Sequence, residues 1–90
     1  MSITIYLHKT HYQYADGAEI VNVDGKTVQE CLDNLVEIHP GLKKVVFTEN
    51  GKLHPLIEIY LNSTSAYPDA SKKEVNEGDK IHLVYTLAGG

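Results

Sequence analysis

The sequence predicts an α+β domain in which a mixed sheet of four to five strands carries one main helix packed on one face. Three observations carry this expectation. Apolar and polar residues alternate near both ends of the chain, one capped helix lies between them, and turn signals cut the rest into short segments. A single helix covers only one face of a sheet. The inward residues of every strand should therefore pack on it, leaving the opposite face wet.

Residues 2–8 put Ile3, Ile5 and Leu7 on one face and Thr4, Tyr6 and His8 on the other, the period-2 pattern of a half-buried strand. Residues 9–15 are polar and aromatic, which predicts a long connecting loop. Asp16-Gly17 marks a turn, and 19–24 reads as a second strand with Val21 and Val23 inward. Thr27-Val28-Gln29-Glu30 then fits a capping box, in which hydroxyl and carboxylate each take an otherwise orphaned backbone N–H. Val28, Cys31, Leu32 and Leu35, extending to Ile38, recur at helical spacing and define one apolar stripe. Pro40-Gly41 ends that helix.

Leu42, Val45, Val46 and Phe47 predict a further helical turn closing one end of the core. Asn50-Gly51 signals a turn, and 56–61 reads as a strand with Ile57, Ile59 and Leu61 inward and Glu58 and Tyr60 outward. Residues 62–76 are polar and irregular, with room for one short strand in 62–75. Glu77-Gly78-Asp79 turns into a last strand, 80–87, with Ile81, Leu83, Tyr85 and Leu87 inward and His82, Val84 and Thr86 outward. Strand, strand, helix, strand, strand is the order of the β-grasp fold, in which the first and last strands lie parallel at the centre of the sheet.

Composition narrows the function. Ninety residues make one small domain, and 42 % hydrophobic residues suffice for a modest core. The chain contains no Arg, and its formal net charge is −4. Nucleic-acid binding, which depends on basic stripes and favours the Arg fork, is not expected. An acidic surface suits a partner with a basic docking face. One cysteine, Cys31, excludes an internal disulfide framework and a cysteine-rich zinc site; its place on the helical stripe makes it a core thiol. No apolar run approaches the roughly 20 residues of a membrane span, and the N-terminus lacks a signal-like pattern, so a cytoplasmic protein is expected.

The sequence ends Leu87-Ala88-Gly89-Gly90. Glycine has no Cβ, so a Gly-Gly end can pass through a channel too narrow for side chains. Four extended residues reach roughly 13 Å at about 3.3–3.6 Å each. The expected division is thus a single β-grasp domain over 1–86 and a flexible tail over 87–90, with Gly90 presenting a free carboxylate.

Strand order, central helix and terminal Gly-Gly together resemble ubiquitin and its prokaryotic relatives, the sulfur-carrier proteins. Glu77-Gly78-Asp79-Lys80-Ile81 followed by Leu87-Ala88-Gly89-Gly90 looks like the "DGD-(x)-(V/I)…AGG" ending of the MoaD/ThiS family. Gly51-Lys52-Leu53-His54 with Ile59-Tyr60-Leu61-Asn62 is similar to the middle of the CysO-type carriers, which serve cysteine synthesis through a protein thiocarboxylate. The likeness covers most of the chain. It departs at 63–74, and at Tyr85-Thr86, where relatives often carry Pro.

The resemblance implies a carrier rather than an enzyme. An activating enzyme of the ubiquitin-activating type (MoeB/ThiF-like) would spend ATP to adenylate Gly90. A sulfur donor would then displace AMP to leave a thiocarboxylate, and a downstream synthase would accept the sulfur. Cysteine or homocysteine formation is favoured over thiamine or molybdopterin synthesis. The chain has no Walker-type phosphate loop, so no cofactor is expected on it and the nucleotide site belongs to the partner. The free chain is expected to be a monomer.

Docking needs a surface as well as a tail. Tyr6, Tyr60 and Val84 point outward from three strands that neighbour one another in a β-grasp sheet, bordered by Glu58 and His82, and Leu87 and Ala88 extend the partner-binding set. Five histidines invite a metal reading, but His8 and His11 have no ligand spacing and His39, His54 and His82 fall on separate elements; no metal is expected. Lys43-Lys44 and Lys72-Lys73 read as solvated faces. Two further readings stay open: a modifier joined through Gly90 to target lysines, and a β-grasp binding module whose glycines are incidental.

Overall fold

The computed structural model describes residues 1–86; the predicted tail 87–90, with Leu87, Ala88, Gly89 and Gly90, lies outside the described residues. Five strands form one mixed sheet: β1 (Ser2–Tyr6), β2 (Ile20–Asp24), β3 (Ile57–Leu61), β4 (Thr64–Ser65) and β5 (Lys80–Tyr85). Their order is β2-β1-β5-β3-β4, with β1 and β5 parallel and the other neighbours antiparallel. Helix α1 (Val28–Ile38) packs on one face, and a single turn, α2 (Lys43–Val46), closes one end. This is the β-grasp architecture that the alternating segments predicted.

The inward set is as expected at its centre. Ile3, Ile5, Val21, Val23, Ile57, Ile59, Ile81 and Leu83 are buried against Val28, Cys31, Leu32 and Leu35 of α1. Leu42, Val46 and Phe47 seal the end. Leu61 and Tyr85 are only half-buried, packing on the rim of the core. Gly17, Gly51 and Gly78 take φ of +84°, +78° and +84° in the three predicted glycine turns.

Several expectations need correction. Strand β1 stops at Tyr6, although Leu7 stays buried and its N–H reaches the Glu19 carbonyl at 2.9 Å. Residues 9–15, expected as a loop, form a 3-10 helix, Lys9–Ala15, that turns His11 and Ala15 inward. Burial of those two residues stabilises local i→i+3 bonding over open coil. Ile38 is 53 % exposed: the stripe leaves the sheet before the last turn of α1. The capping box, by contrast, forms as expected: Thr27 Oγ1 accepts the Glu30 N–H at 3.1 Å, and the Glu30 carboxylate accepts the Lys26 N–H at 3.2 Å.

The polar stretch 62–76 contributes more to the core than its composition suggested. It contains β4 and a short 3-10 turn, Ala70–Lys72, and buries Ala66, Ala70 and Val75. Backbone bonds from Val28 N–H to the Lys73 carbonyl and from Val75 N–H to the Lys26 carbonyl, both 2.9 Å, tie it to the start of α1. Small apolar residues among serines and lysines carry no period, so this packing had no sequence signature.

Candidate protein-docking face and tail root

The face of the sheet opposite α1 carries the predicted docking residues, and strand register explains how they meet. Even-numbered residues of β1, β3 and β5 point away from the helix. Tyr6 aligns with His82 across the parallel β1–β5 pair, and His82 aligns with Tyr60 across β5–β3. The Tyr6 and His82 rings stack face to face, 4.4 Å between centroids and 7° between planes. Glu58 aligns with Val84 in the adjacent row. Tyr6, Glu58, Tyr60, His82 and Val84 are all half-buried, so the five predicted residues form one contiguous, partly accessible surface.

Polar contacts order this surface. The Glu58 carboxylate accepts a hydrogen bond from the Tyr60 phenol, which raises the phenol's pKa above its ordinary value; the negative charge of Glu58 adds to the shift. Ser65 Oγ also donates to Glu58 at 3.4 Å. Tyr60 thus presents an aromatic body with an anchored polar tip, the amphipathic character common at protein interfaces.

One residue of the face was not anticipated. Ile20 aligns with Tyr6 across β1–β2 and is 49 % exposed, so the row runs Ile20, Tyr6, His82, Tyr60, Ser65 across the sheet. The signal was present: with Val21 and Val23 inward, a large apolar residue at 20 had to face outward.

The Glu58–Val84 row lies between this one and the root of the C-terminal segment, four residues beyond His82 on the same strand. Thr86 follows β5 directly, and the Leu56 carbonyl accepts both its N–H at 2.7 Å and its Oγ1–H at 2.9 Å. Leu56 N–H in turn donates to His54 Nδ1 at 3.1 Å. The last described residue is therefore fixed to the start of β3. Leu87 and Ala88, predicted to contact partners, lie beyond it.

His54 joins His8 and His11 near this root, across more than 40 residues of sequence. His8 and His11 lie 6.1 Å apart by ring centroids, and His11 sits 5.4 Å from the Tyr85 ring. A cavity of about 250 Å³ is lined in part by His11, Tyr14, Lys44, His54 and Tyr85. His11 is 3 % exposed, and its Nδ1 has no hydrogen-bond partner. Burial, reinforced by His8 and His54, pushes its pKa below the ordinary 6.5. Among the described residues no three His, Cys, Asp or Glu side chains converge as a metal would require. The cluster is a packed end of the core beside the tail root. Cys31 is fully buried on α1, and desolvation pushes its thiol up to about 11, so it is no nucleophile at neutral pH. Among the described residues no helix is long and apolar enough to cross a membrane.

Comparison with known proteins agrees with this geometry. The chain is 35 % identical over 85 residues to small archaeal modifier protein 1 of Haloferax volcanii, covering 86 % of this chain and 94 % of the relative. The crystal structure of that modifier from Haloferax volcanii superposes with a TM-score of 0.88 at 31 % identity, each chain covered completely. The BexX/CysO complex of Amycolatopsis orientalis contains a chain matching at TM-score 0.86 and 28 % identity, with 98 % of this chain and 99 % of that one covered. The sequence profile of the ThiS family matches residues 7–90. Profile, fold and relatives coincide over nearly the whole chain, which therefore belongs to the ThiS family of ubiquitin-like sulfur carriers.

Proposed function

We propose that this chain carries sulfur on the C-terminal carboxylate of Gly90, as substrate of a partner enzyme rather than as a catalyst. A carboxylate is a poor electrophile. In this reading a MoeB/ThiF-like activating enzyme joins Gly90 to AMP at the expense of ATP, releasing pyrophosphate. A sulfur nucleophile then attacks the Gly90 carbonyl carbon and AMP leaves, which yields a thiocarboxylate able to attack an activated acceptor. The observation that carries the reading is that Leu87-Ala88-Gly89-Gly90 follow Thr86 in sequence, and that the Thr86 backbone is anchored to Leu56 at the start of β3, next along the open face from Glu58 and Val84.

Cysteine or homocysteine formation is the favoured destination of the sulfur. The likeness of Gly51-Lys52-Leu53-His54 to CysO-type carriers supports it, as does the fold match to CysO in complex with BexX. The test is intact mass. After incubation with the activating enzyme, ATP and a sulfide donor, the chain should gain about 16 Da, sulfur replacing oxygen. An unchanged mass in the presence of ATP turnover rejects the proposal.

A second reading has its own support in the 35 % identity to a small archaeal modifier protein. The same activated Gly90 would then acylate a lysine amine of a target protein. Conjugates of higher mass that survive reducing gels would favour it. Removal of Gly89-Gly90 should abolish either activity; full activity without them would leave only a binding module.

A further inference from the structure

β2 is an open edge of the sheet. The bonds Leu7 N–H to Glu19 carbonyl (2.9 Å) and Gly25 N–H to Met1 carbonyl (3.1 Å) bracket the β1–β2 ladder with odd-numbered pairs. Hydrogen-bonded and non-bonded pairs alternate in an antiparallel ladder, so Ile20, Asn22 and Asp24 turn their backbone N–H and carbonyl groups away from β1. The Asp24 carbonyl is taken by Asn34 Nδ2 at 2.7 Å. The Ile20 and Asn22 backbone groups and the Asp24 N–H find no partner among the described residues. Sheet edges are commonly blunted by Lys, Pro or a bulge, and the span Ile20–Asp24 has none of the three.

The edge faces a trough. A cavity of about 540 Å³ separates β2 from the last turns of α1, lined by Asn22, Val23, Asp24, Asn34, Glu37 and Ile38, with Ser2 at its end. Ile38, which left the core stripe, offers its exposed side chain here; Ile20 offers another on the opposite face of the edge. A strand laid on β2 would place alternate side chains against these two isoleucines. The charged residues of the lining, Asp24 and Glu37, are both acidic, and Glu19 precedes the edge. A second copy of the same edge would set these carboxylates against one another.

We propose that β2 and the trough accept an extended protein segment, apolar at its centre and basic at both ends, by strand addition. Backbone bonds to Ile20 and Asn22 supply register, the isoleucines take the apolar residues, and Glu19, Asp24 and Glu37 take the basic flanks. Ile20 also ends the aromatic row, but Asn22, Asp24 and the trough lie on the far side of β1 from β5, so the mass test of sulfur loading and the test below read different sites and succeed or fail separately.

The test titrates the full ¹⁵N-labelled chain with a synthetic peptide, Lys-Lys-Val-Ile-Val-Lys-Lys, and with its counterpart bearing Glu in place of every Lys. Binding of the first should shift the amide resonances of Ile20, Asn22 and Asp24 and slow their exchange with solvent. Glu37→Lys, on an exposed helical position, should weaken binding about two- to five-fold, the range of an exposed ion pair. Asn22→Pro removes an outward edge N–H where proline is tolerated, and should abolish binding. With peptide present, any of three results would overturn the proposal: no shift at β2, shifts confined to Tyr6, His82 and Tyr60, or equal binding of the Glu peptide. Concentration-dependent shifts at β2 without peptide would overturn it in favour of a second copy.

Discussion

Replacing Gly25 by alanine probes the junction where β2 hands over to α1. A Cβ at this position would lie 2.6 Å from Cys31 Sγ, 3.0 Å from Cys31 N and 3.3 Å from Cys31 Cα. Carbon contacts are comfortable at about 3.5–4.0 Å, so the overlap amounts to nearly 1 Å, part of it with backbone that cannot rotate away. Overpacking of this kind costs about 1–3 kcal/mol. Gly25 does not occupy the left-handed region, so alanine also stiffens the unfolded chain and returns about 0.4–1 kcal/mol. The net loss should be about 1–2 kcal/mol, which in a domain of this size lowers Tm by about 5–15 °C. Thermal unfolding followed by circular dichroism measures it. Cys31→Ala removes the nearest obstacle, Sγ, and should relieve part of the loss, so that the double variant is more stable than the sum of the singles by at least about 0.5 kcal/mol. A Gly25→Ala protein as stable as the parent, or strictly additive losses, would refute the steric reasoning.

The remaining expectations are simpler to state. The His11 pKa is lowered in the folded protein, so as pH falls below 6.5 the unfolded chain binds a proton that the folded one refuses. Stability should therefore fall with pH from about 6.5 down to the folded pKa, and denaturant midpoints of His11→Gln should lack that slope; an equal slope in the variant would contradict the assignment. Asp79, held below 3.8 by hydrogen bonds from Asn62 and the Asn76 N–H, acts only in a lower window, its contribution present above 3.8 and lost as pH falls through its folded value. Cys31 should resist alkylation at pH 8 in the folded state and react on unfolding, as a buried thiol with its pKa pushed up to about 11 requires. Tyr60→Glu should weaken capture by the activating enzyme, reduced at least tenfold if Tyr60 is a central contact, with thermal stability close to the parent; unchanged capture would remove the aromatic row from the docking surface.

What the sequence made legible was whatever follows a period. Alternation assigned Ile3, Ile5, Ile57, Ile59, Ile81 and Leu83 to the core and, by the same token, Tyr6, Tyr60, His82 and Val84 to the open face. The register that stacks Tyr6 on His82 was not legible, because it depends on the offset between strands 74 residues or more apart, which no local pattern encodes. The convergence of His8, His11 and His54 was hidden for a related reason. Residues 9–15 have no clean helical period, and the chain wraps there as a 3-10 helix whose buried positions are set by the end of the sheet. Ala66, Ala70 and Val75 show the limit from the other side: small residues among polar ones reach the core only because the backbone around them is tied to α1.

The position of β5 connects the fold to the proposed chemistry. As the last strand it could have been an edge; instead it lies between β1 and β3, hydrogen-bonded on both sides. Its last three residues, Leu83–Tyr85, extend past β1 and pair with β3 alone, and Thr86 adds two further bonds to Leu56 on that same side. In the proposed function, a glycine terminus would offer an enzyme almost nothing to recognise beyond its carboxylate, so selectivity would have to come from elsewhere on the molecule. His82, four residues before Thr86 on the same strand, sits at the centre of the Tyr6–His82–Tyr60 row. In the proposed function, a partner that grips that row would also set the direction of the strand leading to Gly90, and binding energy gathered on the sheet would be converted into placement of a carbonyl that could not gather it for itself.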